Sequence, residues 1–144
     1  MFILPDINVL LARFDAKHEA HPRTAAWFRS RRLDGMLTCP LTENGFVRIF
    51  SNPSYPSGPG SMPDALVMLD CIRSVPGHRF ISDSISLGDS TRFIGLSAAG
   101  PSQLTDLYLL ALAVEQSAKF VTLDDRIPAH LVKGGKSALM VIPR

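Results

Sequence analysis

Apolar residues along the chain fall into two kinds of run. Phe2-Ile3-Leu4 are apolar at consecutive positions, the pattern of a short strand buried on both faces. Pro5 cannot donate a ladder hydrogen bond, so the strand should stop there. Met36 to Cys39, Arg79-Phe80-Ile81, Lys119 to Leu123 and Ala138 to Ile142 supply four further strand candidates. Between them the apolar positions spread to helical spacing. Ile7 to Phe14 predicts a first helix, and His21-Pro22 opens a second, because proline suits a first helical turn. Ala25, Ala26, Phe28 and Leu33 would line its inner face, and Asp34-Gly35 would end it, glycine supplying the left-handed C-terminal residue. Leu41 to Phe50 and Asp64 to Ser74 predict two more helices. The longest predicted helix, Gln103 to about Ala118, is apolar nearly all round and should be buried on several sides. Residues 51 to 63 hold four prolines and two glycines, which marks a surface loop with the composition of a mobile one. Ser82 to Leu96 shows no clear period.

Strands alternating with helices predict a central, mostly parallel sheet of about five strands with helices on both faces, a three-layer α/β/α domain spanning 1–144. Composition narrows the class. With 46% hydrophobic residues the chain is globular rather than disordered, and no apolar run approaches the ~18 residues that cross a bilayer. The N-terminus has no basic region or cleavage site of a signal peptide. Cys39 and Cys71 lack CxxC or His-paired spacing, so both are expected as reduced core residues in a cytoplasmic protein. The net charge of +2 does not by itself announce a nucleic-acid partner.

Four acids change the picture. Asp6 follows the first strand, Glu43 lies in the helical turn after the second, Asp106 opens the long buried helix, and Asp124 follows the fourth strand. All four are expected at the carboxyl-end rim of the sheet, where open α/β sheets bind ligands. Each alone is equally well a helix-dipole partner worth ~0.3–1 kcal/mol. As a set they would repel one another unless a cation stood among them, and oxygen ligands without His or Cys point to Mg²⁺ or Mn²⁺. Of 15 Lys and Arg against 13 Asp and Glu, setting four acids aside leaves 15 against 9, an excess of +6. An acid pocket in a basic surround suits a phosphodiester substrate. Arg23, Arg29, Arg31 and Arg32 form the candidate RNA-binding patch, with a solvated helix face as the alternative.

Asp6-Ile7-Asn8-Val9-Leu10-Leu11, Thr42-Glu43 with Arg48 following, Thr105-Asp106-Leu107-Tyr108-Leu109-Leu110-Ala111-Leu112-Ala113 and Val121-Thr122-Leu123-Asp124 resemble the successive motifs of PIN domains. More closely, the chain is similar to the VapC toxins of bacterial toxin–antitoxin pairs, over essentially its whole length. The resemblance implies a Mg²⁺- or Mn²⁺-dependent endoribonuclease toxin restrained by a small antitoxin, and a homodimer. It carries Asp6, Glu43, Asp106 and Asp124 over as the catalytic, metal-binding quartet, with Asn8 and Thr122 in support. Two other acid-based classes fail on spacing. A haloacid-dehalogenase-type phosphatase needs an Asp where Asn8 stands, and a receiver domain needs its acidic pair early, whereas Asp124-Asp125 come late. The rival that survives is a PIN-like fold used only as a binding module. Trp27, Phe28, Phe46, Ile49 and Phe50 are candidates for a partner groove or dimer surface, or simply for the core. Which RNA is cut is not encoded in any of these motifs.

Overall fold

The computed structural model describes residues 1–144. The chain runs β1 (Phe2–Pro5), α1 (Ile7–Phe14), α2 (His21–Arg29), β2 (Gly35–Thr38), α3 (Pro40–Phe50), α4 (Met62–Arg73), β3 (Arg79–Phe80), α5 (Leu104–Glu115), β4 (Lys119–Thr122), α6 (Gly135–Ala138) and β5 (Leu139–Val141). The strands form one sheet in the order β3-β2-β1-β4-β5, and every pairing is parallel. The three-layer expectation therefore stands, with the sheet wholly rather than mostly parallel.

Strand pleating divides the core. Ile3, Met36 and Val121 point to the layer of α1, α2, α3 and α4. Their chain neighbours Leu4, Leu37 and Phe120 point to the layer of α5 and α6. Successive side chains of a strand face opposite ways, so strands covered on both faces must be apolar at consecutive positions. Leu107 and Leu109 to Ala113 of α5 are all buried.

Strand order also creates the crevice. From β1 the chain proceeds outward through β2 and β3, then crosses back to place β4 on the other side of β1. The carboxyl ends of β1 and β4 therefore flank a topological switch point. Helices return antiparallel to the strands, so the first turns of α1, α3 and α5 lie at that same end.

Several boundaries differ from expectation. The second helix ends at Arg29, not at Asp34-Gly35. Gly35 instead opens β2, and the left-handed residue nearby is Gly77 (φ 79°). A Cβ on Gly35 would stand 2.1 Å from the Gly77 carbonyl oxygen, so glycine is required by close backbone approach. The inner face of α2 is Thr24 and Trp27, while Ala26 is exposed. The short α6 and the 3₁₀ turns at Leu96–Ala98, Pro101–Gln103 and Ala129–Leu131 were not anticipated. Cys39 is buried as expected, but Cys71 is exposed on α4.

The Pro-rich loop after α3 is tethered, contrary to the mobility its composition suggests. Tyr55 donates its hydroxyl to Asp15 (2.9 Å), and the Ser57 hydroxyl donates to the same carboxylate oxygen. Burial raises the Asp15 pKa, but these bonds and the Lys17 amide outweigh it, leaving the carboxyl below its ordinary range. Burial and the Asp15 charge push Tyr55 up to about 12. Trp27, Phe46 and Phe50 are core residues. The large apolar side chains that face solvent are instead Met62, Leu66, Val67 and Phe80, among others.

Candidate active site

Asp6 occupies the N-cap of α1 and is 5% exposed. One carboxylate oxygen accepts the Ile7 amide (2.6 Å) and the other the Thr122 hydroxyl (2.8 Å). The capping reading of Asp6 therefore holds. Asn8 braces the Thr122 turn from the first turn of α1: its side-chain amide donates to Thr122 Oγ1 (3.4 Å) and its Oδ1 accepts the Leu123 amide (3.2 Å). The Asp124 amide in turn donates to Thr122 Oγ1 (3.1 Å). These bonds couple the end of β1 to the end of β4. Burial raises the Asp6 pKa first, the Thr122 and Ile7 donors pull it back, and the Asp124 charge raises it again.

Asp106 stands in the first turn of α5. It is half-buried and accepts no hydrogen bond. Burial, then the charges of Asp6 and Asp124, push its pKa up to about 6. Asp124 is the opposite case. The Arg126 guanidinium donates to both of its oxygens (3.0 and 3.3 Å) and the Arg126 amide donates to one (2.9 Å). Those bonds hold the carboxyl below its ordinary range.

Asp6, Asp106 and Asp124 therefore share one electrostatic field, while Glu43 stands apart. Its Oε1 accepts the Thr38 hydroxyl (2.7 Å) and the Arg73 guanidinium (2.8 Å). Because Thr38 spends its one proton on Glu43, the 2.8 Å contact between Thr38 Oγ1 and His78 Nε2 requires His78 to donate through Nε2. Burial, then Arg73, lowers the His78 pKa, with Glu43 opposing. The motifs did not point to Thr38, Arg73 or His78. They are noticed only once β2, α4 and β3 are adjacent.

The expected arginine patch is divided: Arg23 lies at the carboxyl-end side of the sheet, just past β5, whereas Arg31 and Arg32 lead toward the opposite end. Arg23 donates to the carbonyls of Ile142 and Pro143 (3.3 and 3.1 Å). Arg31 lies over the Trp27 ring at 4.8 Å. Arg31 and Arg32 lead into Asp34, whose amide donates to the Met1 carbonyl (3.0 Å) at the amino-terminal end of the sheet. Arg29 at the end of α2 is exposed.

No three His, Cys, Asp or Glu side chains stand close enough, as placed, to hold a metal ion. The donor set nevertheless fits a hard divalent cation. It is all oxygen, the charges of Asp6 and Asp124 raise the Asp106 pKa, and Asp106 has no donor of its own.

No protein-family model matches the chain. Individual relatives do. Ribonuclease VapC44 of Mycobacterium tuberculosis is 41% identical over 134 residues, covering 93% of this chain and 94% of that protein. Ribonuclease VapC38 of the same species is 39% identical over 121 residues, 84% of each chain. Ribonuclease VapC39 is 32% identical over 124 residues, 86% of this chain and 89% of the relative. Full-length identity at this level, on a chain whose parallel sheet gathers the acids of the expected motifs at one rim, places it in a family: the chain belongs to the VapC family of PIN-domain toxins.

Proposed function

We propose that the protein is a Mg²⁺- or Mn²⁺-dependent endoribonuclease whose metal is held by Asp6, Asp106 and Asp124, with Glu43 acting through water or joining as a fourth ligand. Asp106 carries the reading. A half-buried carboxylate with no donor, in the field of two other acids, is costly for a fold to keep unless a cation relieves it. The bound cation would lower the pKa of a water and offset charge on the leaving oxygen. The chain's own groups do the rest. Thr122 and Asn8 fix Asp6 against β4, and the Thr38 hydroxyl holds Glu43 beside the cleft. Hydrolysis by this route leaves a 5′-phosphate and a 3′-hydroxyl. The decisive assay follows RNA cleavage with Mg²⁺, with EDTA, and in Asp6→Asn and Asp106→Asn. Cleavage that survives EDTA, or either variant cutting at the wild-type rate, overturns the reading. A non-catalytic binding module would show no cleavage at all.

Partners belong to the same proposal. The relatives' family implies a small antitoxin and a homodimer. A groove of about 790 Å³ between α3 and α4, lined by Val47, Met62, Leu66, Leu69 and Phe80 and reaching Glu43, is the apolar surface for a protein partner. An antitoxin lying there could place a cation among the rim acids. Co-expression with the adjacent small open reading frame should give a stable complex, and Leu66→Glu should break it. If no such neighbour binds, the toxin reading falls while the nuclease reading stays.

A further inference from the structure

Few cations of this protein touch the candidate acids. Arg92 pairs with Asp89 and Glu115, Arg79 lies over the Phe2 ring at 4.3 Å, and Arg13 lies over Phe14 and Phe28. Arg23 is bound to carbonyls. Arg144 acts on Asp124 through charge alone, while two arginines form ion pairs with rim acids, Arg73 with Glu43 and Arg126 with Asp124. They come from different elements and stand on opposite sides of Asp6. Glu43 follows β2 and Asp124 follows β4, with β1 between them. Two strand spacings make that span about 10 Å.

Neither arginine is built into the core, although Arg73 also lies over the exposed Phe80 ring at 5.3 Å. The Arg73 side chain is 43% exposed and that of Arg126 is 84% exposed. The Arg126 pair is of the exposed kind that contributes little to stability, and in the Arg73 pair the arginine is the exposed partner while the Glu43 side chain is 14% exposed. Each therefore has somewhere to go when its carboxylate finds a better cation. A divalent ion at the rim competes for the same oxygens that the two guanidinium groups occupy. Guanidinium is also the side chain whose planar fork matches a phosphate.

We propose that Arg73 and Arg126 are the phosphate-holding residues of the site, resting on Glu43 and Asp124 without metal and passing to the RNA backbone on either side of the cut when metal arrives. The substrate class this geometry takes is single-stranded RNA, whose backbone can bend into a short rim between two flanking cations. The proposal rests on the metal-dependent ribonuclease reading. It also makes RNA affinity metal-dependent, because the same carboxylates that free the arginines would otherwise repel phosphate.

The test uses the full chain, a labelled single-stranded oligouridylate, and Ca²⁺ in place of Mg²⁺, so that binding is read without turnover. Fluorescence anisotropy is followed over a salt series for the wild type, for Arg73→Gln with Arg126→Gln, and for Arg29→Ala with Arg31→Ala and Arg32→Ala. Separately, Mn²⁺ is titrated calorimetrically into the RNA-free proteins. Ca²⁺ should tighten wild-type RNA binding about tenfold, and the Gln pair should lose that gain. The slope of log affinity against log salt should become shallower by about 0.7 for each lost phosphate contact. Mn²⁺ should bind the Gln pair at least as tightly as the wild type, because its competitors are gone. Lysine at both positions should restore part of the salt slope. The α2 triple variant should keep the wild-type slope. If Mn²⁺ binds but the Gln pair keeps the full slope, the arginine assignment is wrong and the metal reading survives. If the wild type takes up no Mn²⁺, both fall together.

Discussion

At the scale of single residues, the site's cost is concentrated in Asp106. Its carboxyl is pushed up to about 6, by burial first and then by Asp6 and Asp124. A raised carboxylate pKa means that the folded protein holds the proton more tightly than the unfolded chain does. The fold therefore loses stability as pH climbs from the unfolded value near 4 through 6. Asp106→Asn removes the charge without changing shape. In EDTA it should stabilise the protein by about 1 kcal/mol at pH 7.5, after discounting for partial exposure. It should have no effect at pH 3, where the wild-type acid is protonated in both states. Urea unfolding at the two pH values measures this directly, and an equal gain at both would mean that the carboxylate is not under electrostatic strain. Asp15, also buried, behaves in the opposite sense because hydrogen bonds hold its pKa below the usual range. Its contribution is present above the unfolded pKa and is lost as pH falls through the folded one. Asp15→Asn should cost about 1–2 kcal/mol at pH 7, and that penalty should shrink below pH 3. It should also open the tethered loop at residues 52–61 to limited proteolysis. Protection equal to wild type would show that Tyr55 and Ser57 are not what anchors the loop.

At the scale of elements, the strands and the four acids were legible because each has a local cause. Consecutive apolar residues can only be satisfied by a doubly covered strand, as Ile3 and Leu4 show by facing different layers. An acid after such a strand or in the first turn after it must sit at the carboxyl end. What was not legible depends on chain segments meeting. Gly35 looked like a helix terminus because glycine after a helical run usually is one. Its real constraint is the Gly77 carbonyl, 42 positions later in the chain, 2.1 Å from where a Cβ would stand. The two readings predict different mutants. A left-handed cap would tolerate Asn, whereas close backbone approach forbids any side chain. Gly35→Ala should therefore destabilise by about 1–3 kcal/mol, and Gly35→Asn by at least as much. Thermal unfolding of the pair distinguishes them, and a tolerated Asn would restore the cap reading. Composition misled in the same way about the loop after α3. Prolines and glycines mark it as loop, but nothing within it announces the Asp15 carboxylate that ties it down. The arginines of α2 share one helix in the sequence, but the helix carries them to different ends of the sheet: Arg23 stands by Ile142 and Pro143 past β5, and Arg31 and Arg32 lead toward the amino-terminal end. His78 meets Thr38 only through the β2–β3 pairing, for which β3 offers just Arg79 and Phe80, and Arg73 meets Glu43 only where α4 packs on α3.

At the scale of the whole molecule, the rim joins distant parts of the chain. Asp6, Asp106 and Asp124 are brought together from β1, α5 and β4, so a cation among them would tie the central strands to the α5 layer. Anything that binds the folded state alone stabilises it by mass action, about 2.7 kcal/mol when free ligand is a hundred times its dissociation constant. For a chain of this size that corresponds to a rise in Tm of roughly 5–10 °C. Saturating Mn²⁺ should therefore raise the wild-type melting temperature by that amount relative to EDTA. The structure then ranks the four acids. Asp6 and Asp106 sit in the shared field, so Asp6→Asn and Asp106→Asn should abolish the Mn²⁺ shift. Glu43 is turned toward Thr38 and Arg73 in the metal-free protein, and the charges that raise Asp106 are those of Asp6 and Asp124. Glu43→Gln should accordingly keep most of the Mn²⁺ shift while slowing cleavage. If Glu43→Gln loses the shift as completely as Asp6→Asn, then Glu43 binds the cation directly, and the site is a four-acid centre rather than a three-acid one that Glu43 joins through water.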